Sequence, residues 1–185
     1  MFAFNSTPNL KVVRFPYSRF VVDAERLWND PMEEIGQGIV YSDFAGFHRD
    51  VPADRKKILL GMWRQHQNRL KRALSSDSIL IDCHSFPSDM GDVYICEGFN
   101  EDWSYPGDNV VDLFCHLYER QGYKVGVNNP YSNSMSPQCN FQYPSIMIEV
   151  NKRAYLHEDS MRLRTDFKSL KISTIMEKVY RKLLE

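Results

Sequence analysis

The sequence predicts an α/β fold, in which helices cover both faces of one β-sheet. Short apolar runs bounded by turn residues alternate with longer segments of helical periodicity. This alternation is typical of α/β sheets, because each crossover helix packs on a face of the sheet. The sequence shows no internal repeat and no linker composition, and its 185 residues suffice for a substantial core. We therefore expect residues 1–185 to form one domain.

The expected strands are short and apolar. The central one precedes the polar residues Asp82, His84 and Ser85, and the last one carries Glu149. Each run is bounded by glycine, proline, asparagine or charged residues, as strand boundaries usually are. The predicted strands cover residues 11–15, 20–22, 39–41, 79–81, 93–96, 124–127 and 145–150.

Three segments are predicted to be helices: residues 52–74, 108–121 and 167–184. In the first, apolar residues fall on one face at helical spacing, with arginine and lysine opposite. His66 lies on that apolar face, so we interpret it as a core histidine rather than a ligand. Gly122 follows the second helix, where glycine commonly ends a helix.

Composition limits the classes of partner. The net charge is −1, which gives no electrostatic reason to expect nucleic acid or an anionic membrane. No apolar run is long enough to cross a bilayer, and the amino end does not resemble a signal peptide. The four cysteines are scattered without a Cys-x-x-Cys pair, which indicates reduced thiols. We expect a cytoplasmic protein.

The central strand carries the sharpest chemical signal. Ligand sites of α/β sheets collect where strands give way to loops at their carboxyl ends. His84 is therefore placed as a metal ligand or an acid-base group, and Asp82 would orient its ring from behind. The alternative is a histidine with a purely structural role at a strand end. Ser85 lacks the Gly-x-Ser-x-Gly context of a serine nucleophile.

Glu149 is the second candidate. A carboxylate inside the apolar strand 145–150 is costly to desolvate unless it is paired, and such groups often act as general bases. The alternative is a structural salt bridge. Arg19 and Arg26 are candidates for binding a substrate carboxylate, although surface ion pairs would also explain them. Asn128 is a candidate substrate contact or a turn former before Pro130.

Four segments together resemble the N-formylglutamate amidohydrolase family. They occur in the family's order and span most of residues 12–156. The segments are 18–26 (SRFVVDAER), 81–87 (IDCHSFP), 128–131 (NNPY) and 148–151 (IEVN). The resemblance implies a three-layer αβα fold with a mixed, largely parallel sheet, similar to the zinc carboxypeptidases and to other phosphorylase/hydrolase-like folds. It also implies hydrolysis of N-acyl acidic amino acids such as N-formyl-glutamate, a late step in histidine degradation.

The resemblance implies a role for each matching residue. His84 would bind zinc, and Glu149 would be the general base acting on water. Arg26, with Arg19 in support, would hold the substrate carboxylate. The remaining residues, Asn128, Tyr131 and Ser85, would line the substrate pocket, with Asp82 behind His84. The implied partner is a small N-acyl amino acid.

The chain departs from the family at its amino end. Relatives usually carry a His-x-Pro-His turn that supplies further metal ligands, and no such sequence occurs here. We therefore expect a domain shortened at its amino end, which would favour pairing with another copy. Two functions stay open: a zinc amidohydrolase, and a metal-free module that keeps the carboxylate pocket without catalysis. A peptide-cleaving zinc carboxypeptidase is a weaker third.

Overall fold

The computed structural model describes residues 8–100, 103–165 and 167–185, and in the last range the side chains from residue 171 onward. The chain divides into two compact units. One comprises Val13–Leu74 and Pro137–Cys139, and the other comprises Ser75–Ser136 and Asn140–Glu185 with the described residues up to Val12. The prediction of a single domain stays a prediction.

The first unit contains a hairpin and one long helix. Strands β1 (Asp43–Phe44) and β2 (Phe47–His48) pair in antiparallel fashion. Ala45 and Gly46 both have positive φ, as a two-residue hairpin turn requires. Helix α1 (Ala53–Ala73) agrees with the predicted helix to within a residue at each end.

The three strands predicted nearest the amino end are absent from the described structure. Residues 11–15, 20–22 and 39–41 form coil, turns and bends. Some of their apolar side chains are nevertheless buried: Val22, Ile39 and Val40 form a core that also contacts α1, whereas Val12, Phe20 and Val21 are exposed. The prediction of strands was wrong because an apolar run signals burial, whereas a strand also needs a neighbour along its length. Among the backbone hydrogen bonds of the described residues, one joins these segments: the Asp23 N–H donates to the Ile39 carbonyl at 2.8 Å.

The second unit is built on a mixed sheet. Its elements in chain order are β3 (Leu80–Phe86), β4 (Ile95–Gly98), α2 (Asp108–Glu119), β5 (Val125–Val127), β6 (Ser145–Asn151) and α3 (Phe167–Leu183). The strand order is β3-β6-β4-β5. Strand β3 is parallel to β6 and β4 is parallel to β5, whereas β4 and β6 are antiparallel. The predicted α/β fold with a mixed, largely parallel sheet is confirmed.

Helices α2 and α3 pack on one face of this sheet. Ile146, Ile148 and Val150 point to that face, because side chains alternate along β6. They meet Phe114 and Tyr118 of α2 and a row of apolar residues of α3. The opposite face therefore receives the other half of each strand, including Asp82, His84 and Glu149.

Strand β3 is longer than predicted. Its pairing with β6 continues for seven residues, from Leu80 to Phe86. Asp82 and His84 therefore lie within the strand rather than after its end. In the described part of the chain, no helix is long and apolar enough to span a membrane.

Candidate functional site

His84 and Glu149 are neighbours across the parallel strands β3 and β6. The register pairs His84 with Glu149 and Asp82 with Met147, so all four side chains lie on the face away from α2 and α3. The Glu149 side chain is nearly buried, and His84 is only 15% exposed. The structure thus brings together an imidazole and a carboxylate, two groups able to transfer protons.

Asp82 fixes the ring of His84. Its Oδ1 lies 2.6 Å from His84 Nε2, and its Oδ2 accepts a hydrogen bond of 2.9 Å from the Met135 N–H. Both oxygens therefore have partners, one on the strand and one on the loop after β5. The Asp82 carboxylate thus contacts the His84 ring, and its predicted role behind a metal-binding His84 stays a prediction.

The loop that carries Met135 covers part of the same face. At Gly98 of β4 an added Cβ would lie 2.7 Å from the Asn133 carbonyl and would also overlap the Met147 side chain. Glycine is required here because the loop backbone approaches the strand so closely. Ser136 and Ser145 continue the contact through a hydroxyl pair 2.5 Å apart.

Cys96 borders Glu149 on the other side. Strand β4 pairs Cys96 with Glu149, and the thiol donates a hydrogen bond to the Tyr131 carbonyl at 3.2 Å. Burial raises the pKa of the thiol to about 11, with the carboxylates of Glu149 and Glu97 adding to the effect. Cys96 is therefore a neutral hydrogen-bond donor and holds the Tyr131 segment beside Glu149.

The segment Asn128–Tyr131 lies beside the site with its backbone tightly fixed. Asn128 has φ of 51°, and its Oδ1 accepts a hydrogen bond of 3.1 Å from the Phe99 N–H. The ring of Tyr131 packs edge-on against Phe86, with centroids 5.8 Å apart. The Asn128 side chain thus has a structural contact, and its predicted contact with substrate stays a prediction, as does that of Tyr131.

Ser85 lies on the opposite face from His84. It pairs in register with Val150, whose side chain is in the core beneath α2 and α3. The period of two along a strand separates neighbouring residues in this way. The structure therefore does not bring Ser85 together with His84 and Glu149, and its role in substrate binding stays a prediction.

Arg19 and Arg26 belong to the other unit, where both lie near Asp23. Arg19 donates to Asp23 Oδ2 from Nε at 3.2 Å and from Nη2 at 2.9 Å, and it contacts Glu25 at 2.6 Å. Arg26 Nε lies 3.5 Å from the same Asp23 oxygen and donates to the Gln37 carbonyl. Burial opposes the charge of Arg19, but Glu25 and Asp23 outweigh it and raise its pKa.

Asp23 was not among the predicted site residues, although it organises this cluster. It is fully buried, and Tyr41 donates a further hydrogen bond of 2.8 Å to its Oδ2. The alternative explanation of the arginines as ion-pair partners therefore has direct support. Cys96 was also missed. Its position inside a predicted strand was a usable signal, but its neighbour in the sheet was not visible in the sequence.

A zinc ion, implied by the resemblance, requires about three protein ligands at a catalytic site. Among the residues that the structure describes, no group of three or more His, Cys, Asp or Glu side chains could hold a metal ion. The Nε2 atom of His84 already faces Asp82. The described residues therefore do not fit a complete zinc site.

Comparisons with known proteins agree with the fold. The model of the N-formylglutamate amidohydrolase family matches residues 1–156. A crystal structure of N-formylglutamate amidohydrolase from Ralstonia eutropha JMP134 is similar, with a TM-score of 0.73 and 18% identity, over 89% of this chain and 72% of that chain. A gene product of Agrobacterium tumefaciens has a TM-score of 0.62 and 14% identity, over 91% and 70%. Among curated proteins none matches significantly.

Proposed function

Since the chain belongs to the N-formylglutamate amidohydrolase family, we propose that it hydrolyses the amide bond of N-acyl acidic amino acids such as N-formyl-glutamate. The observation that supports the proposal most directly is the pairing of His84 with Glu149 across β3 and β6. A base and an oriented imidazole on one face can supply the proton transfers of amide hydrolysis. The place in histidine degradation is part of this proposal, whereas zinc stays an expectation from the family resemblance.

In the proposed reaction Glu149 takes a proton from water as the water oxygen attacks the formyl carbon. The proton then passes to the amide nitrogen, the carbon–nitrogen bond breaks, and formate and the free amino acid leave. His84, held by Asp82 at 2.6 Å, is the oriented group beside the reacting atoms. No step in this description uses a metal ion, because the described residues do not complete a site for one.

Glu149→Gln tests the role of Glu149. The substitution keeps the shape of the side chain but removes the base, so kcat for N-formyl-L-glutamate should fall by about 10²- to 10⁴-fold with little change in binding. Glu158→Gln is the matched control, because Glu158 is exposed. Hydrolysis should be assayed with zinc and with a chelator. Full activity of Glu149→Gln would remove the proposed base.

The second candidate is a metal-free module that binds a dicarboxylic amino acid without cleaving it. The absence of a three-ligand group among the described residues favours it. Calorimetric titration with N-formyl-L-glutamate separates the two functions. Binding without release of formate, at any zinc concentration, supports the binding module. Formate release supports the hydrolase, and its dependence on zinc decides whether a metal ion takes part. N-formyl-L-leucine, which lacks the side-chain carboxylate, is the control ligand.

A further inference from the structure

Glu97 is a fully buried acidic residue that the proposed reaction does not use. It lies in β4 with no exposed surface. It alternates with Cys96, so its side chain points to the face covered by α2 rather than to the face of Glu149. Its register partners, Ile148 on β6 and Val127 on β5, are both apolar.

The Glu97 carboxyl group is only half satisfied. Its Oε2 accepts a hydrogen bond from the Cys115 thiol of α2 at 3.5 Å, and its Oε1 is buried without a hydrogen-bond partner among the described residues. The hydroxyl of Tyr118, one turn further along α2, is also buried without a partner there. A thiol is a weak donor, so this contact compensates little of the cost of burying a charge.

The groups around Glu97 do not favour its charged form. Those that face it from α2 are Cys115, Tyr118, Asp112 and Glu119, none of which is a cation. In the described part of the chain Glu97 makes no ion pair. Burial, and then the carboxylates of Glu119 and Asp112, raise the pKa of Glu97 to about 8, while the Cys115 thiol lowers it.

Strand β4 connects this buried acid to the candidate site. The Glu97 carbonyl accepts a hydrogen bond of 2.6 Å from the Asn128 N–H, which opens the segment ending at Tyr131. The preceding residue, Cys96, pairs with Glu149 and bonds to Tyr131. Glu97 is therefore joined through the backbone of β4 to residues beside Glu149.

We propose that the contact between α2 and β4 depends on the protonation of Glu97. As a neutral acid Glu97 packs beneath α2, and its ionisation weakens this contact. The proton that folded Glu97 retains determines whether stability rises or falls with pH. An unfolded glutamate releases its proton near its ordinary pKa of 4.5, whereas folded Glu97 retains it to about 8. Between these values the folded chain holds one more proton, so the folding equilibrium constant falls about tenfold for each pH unit.

The test is the urea midpoint of the full chain from pH 5 to 9. Glu97→Gln, which is neutral at every pH, should remove the fall in stability that the wild type shows between pH 5 and 8. Glu158→Gln is the control, because Glu158 is exposed, lies outside β4 and α2, and should leave the slope unchanged. The measurement does not depend on hydrolytic activity.

A second measurement counts protons directly. Unfolding the wild type by urea at pH 6.5 in dilute buffer should release about one more proton than unfolding Glu97→Gln. Glu97→Met, which cannot hydrogen-bond through oxygen, replaces Glu97→Gln if that variant does not fold. Equal proton release by the wild type and the variant, or an unchanged pH slope, would overturn the proposal.

Discussion

Nε2 of His84 lies 2.6 Å from Oδ1 of Asp82, two residues earlier on the same strand. Residues i and i+2 of a strand share a face, so the carboxylate can hold the imidazole without help from another strand. The second Asp82 oxygen accepts the Met135 N–H, which ties the covering loop to the same group. The Asp82 carboxylate therefore links the ring of His84 to the loop that carries Met135.

Asp82→Asn tests this link. An amide keeps the size of the side chain but loses the charge that holds the imidazole N–H. Substitution of a residue that orients a functional histidine typically lowers activity by about 10- to 100-fold. We expect a loss of that size in kcat/KM for N-formyl-L-glutamate. The control is Asp77→Asn, because Asp77 is exposed just before β3. An active Asp82→Asn variant with unchanged kinetics would contradict the positioning role.

Asp23→Ala tests the arginine cluster of the other unit. The substitution removes the buried acceptor of Arg19 and Tyr41 and leaves their donors without it. Arg19 is 41% exposed and can turn to water, whereas the buried Tyr41 hydroxyl loses its acceptor. A buried polar group left without a partner costs about 1–3 kcal/mol, so the free energy of unfolding should fall by about that amount. Urea denaturation measures it.

Glu25→Ala is the control for Asp23→Ala. Glu25 contacts Arg19 at 2.6 Å, but its side chain is 36% exposed. Exposed ion pairs contribute about 0–1 kcal/mol, so this variant should be nearly as stable as the wild type. Equal losses for the two variants would mean that Asp23 is not the organising residue.

The sequence predicted the second unit better than the first for a physical reason. In β3 and β6 the apolar runs coincide with hydrogen-bonded ladders, so the predicted strands are present and His84 meets Glu149. Near the amino end the apolar residues Val22, Ile39 and Val40 are buried without such ladders. Hydrophobic periodicity reports burial, and pairing depends on segments distant in the chain.

The site residues were also predicted only as far as their local sequence allowed, because contacts with distant segments are not visible in the sequence. The motifs located His84, Asp82 and Glu149, which the structure brings to one face. They did not predict that Ser85 faces the core, because that depends on where the strand continues. Cys96 and Asp23 were missed because their roles arise from neighbours in space.

Gly98→Ala tests whether the loop near Met135 must lie against β4. An added Cβ would lie 2.7 Å from the Asn133 carbonyl, so either the loop or the strand must move. Overpacking of this kind costs about 1–3 kcal/mol. We expect a loss of stability of that size in urea denaturation, together with reduced activity, since the loop also holds Asp82.

Gly61→Ala is the matched control for Gly98→Ala. Gly61 lies in α1, and a Cβ there would meet nothing within 4 Å. Alanine favours a helix over glycine by about 0.5–1 kcal/mol, so this variant should be more stable than the wild type. If Gly98→Ala is as stable as the wild type, the loop can move away from β4 without a loss of stability.

Alkylation of the cysteines tests the burial of the site-facing and core-facing sides of the sheet. Burial raises the pKa of Cys96 to about 11, and burial with a nearby carboxylate raises those of Cys83 and Cys115 to about 12. Only thiolates react, so at pH 8 about one part in a thousand or less of each thiol is reactive. Iodoacetamide followed by mass spectrometry should therefore label Cys139 first.

In urea all four cysteines should react at similar rates, which provides the control. Labelling of Cys96 as fast as that of Cys139 would mean that the Tyr131 segment opens readily and exposes the neighbourhood of Glu149.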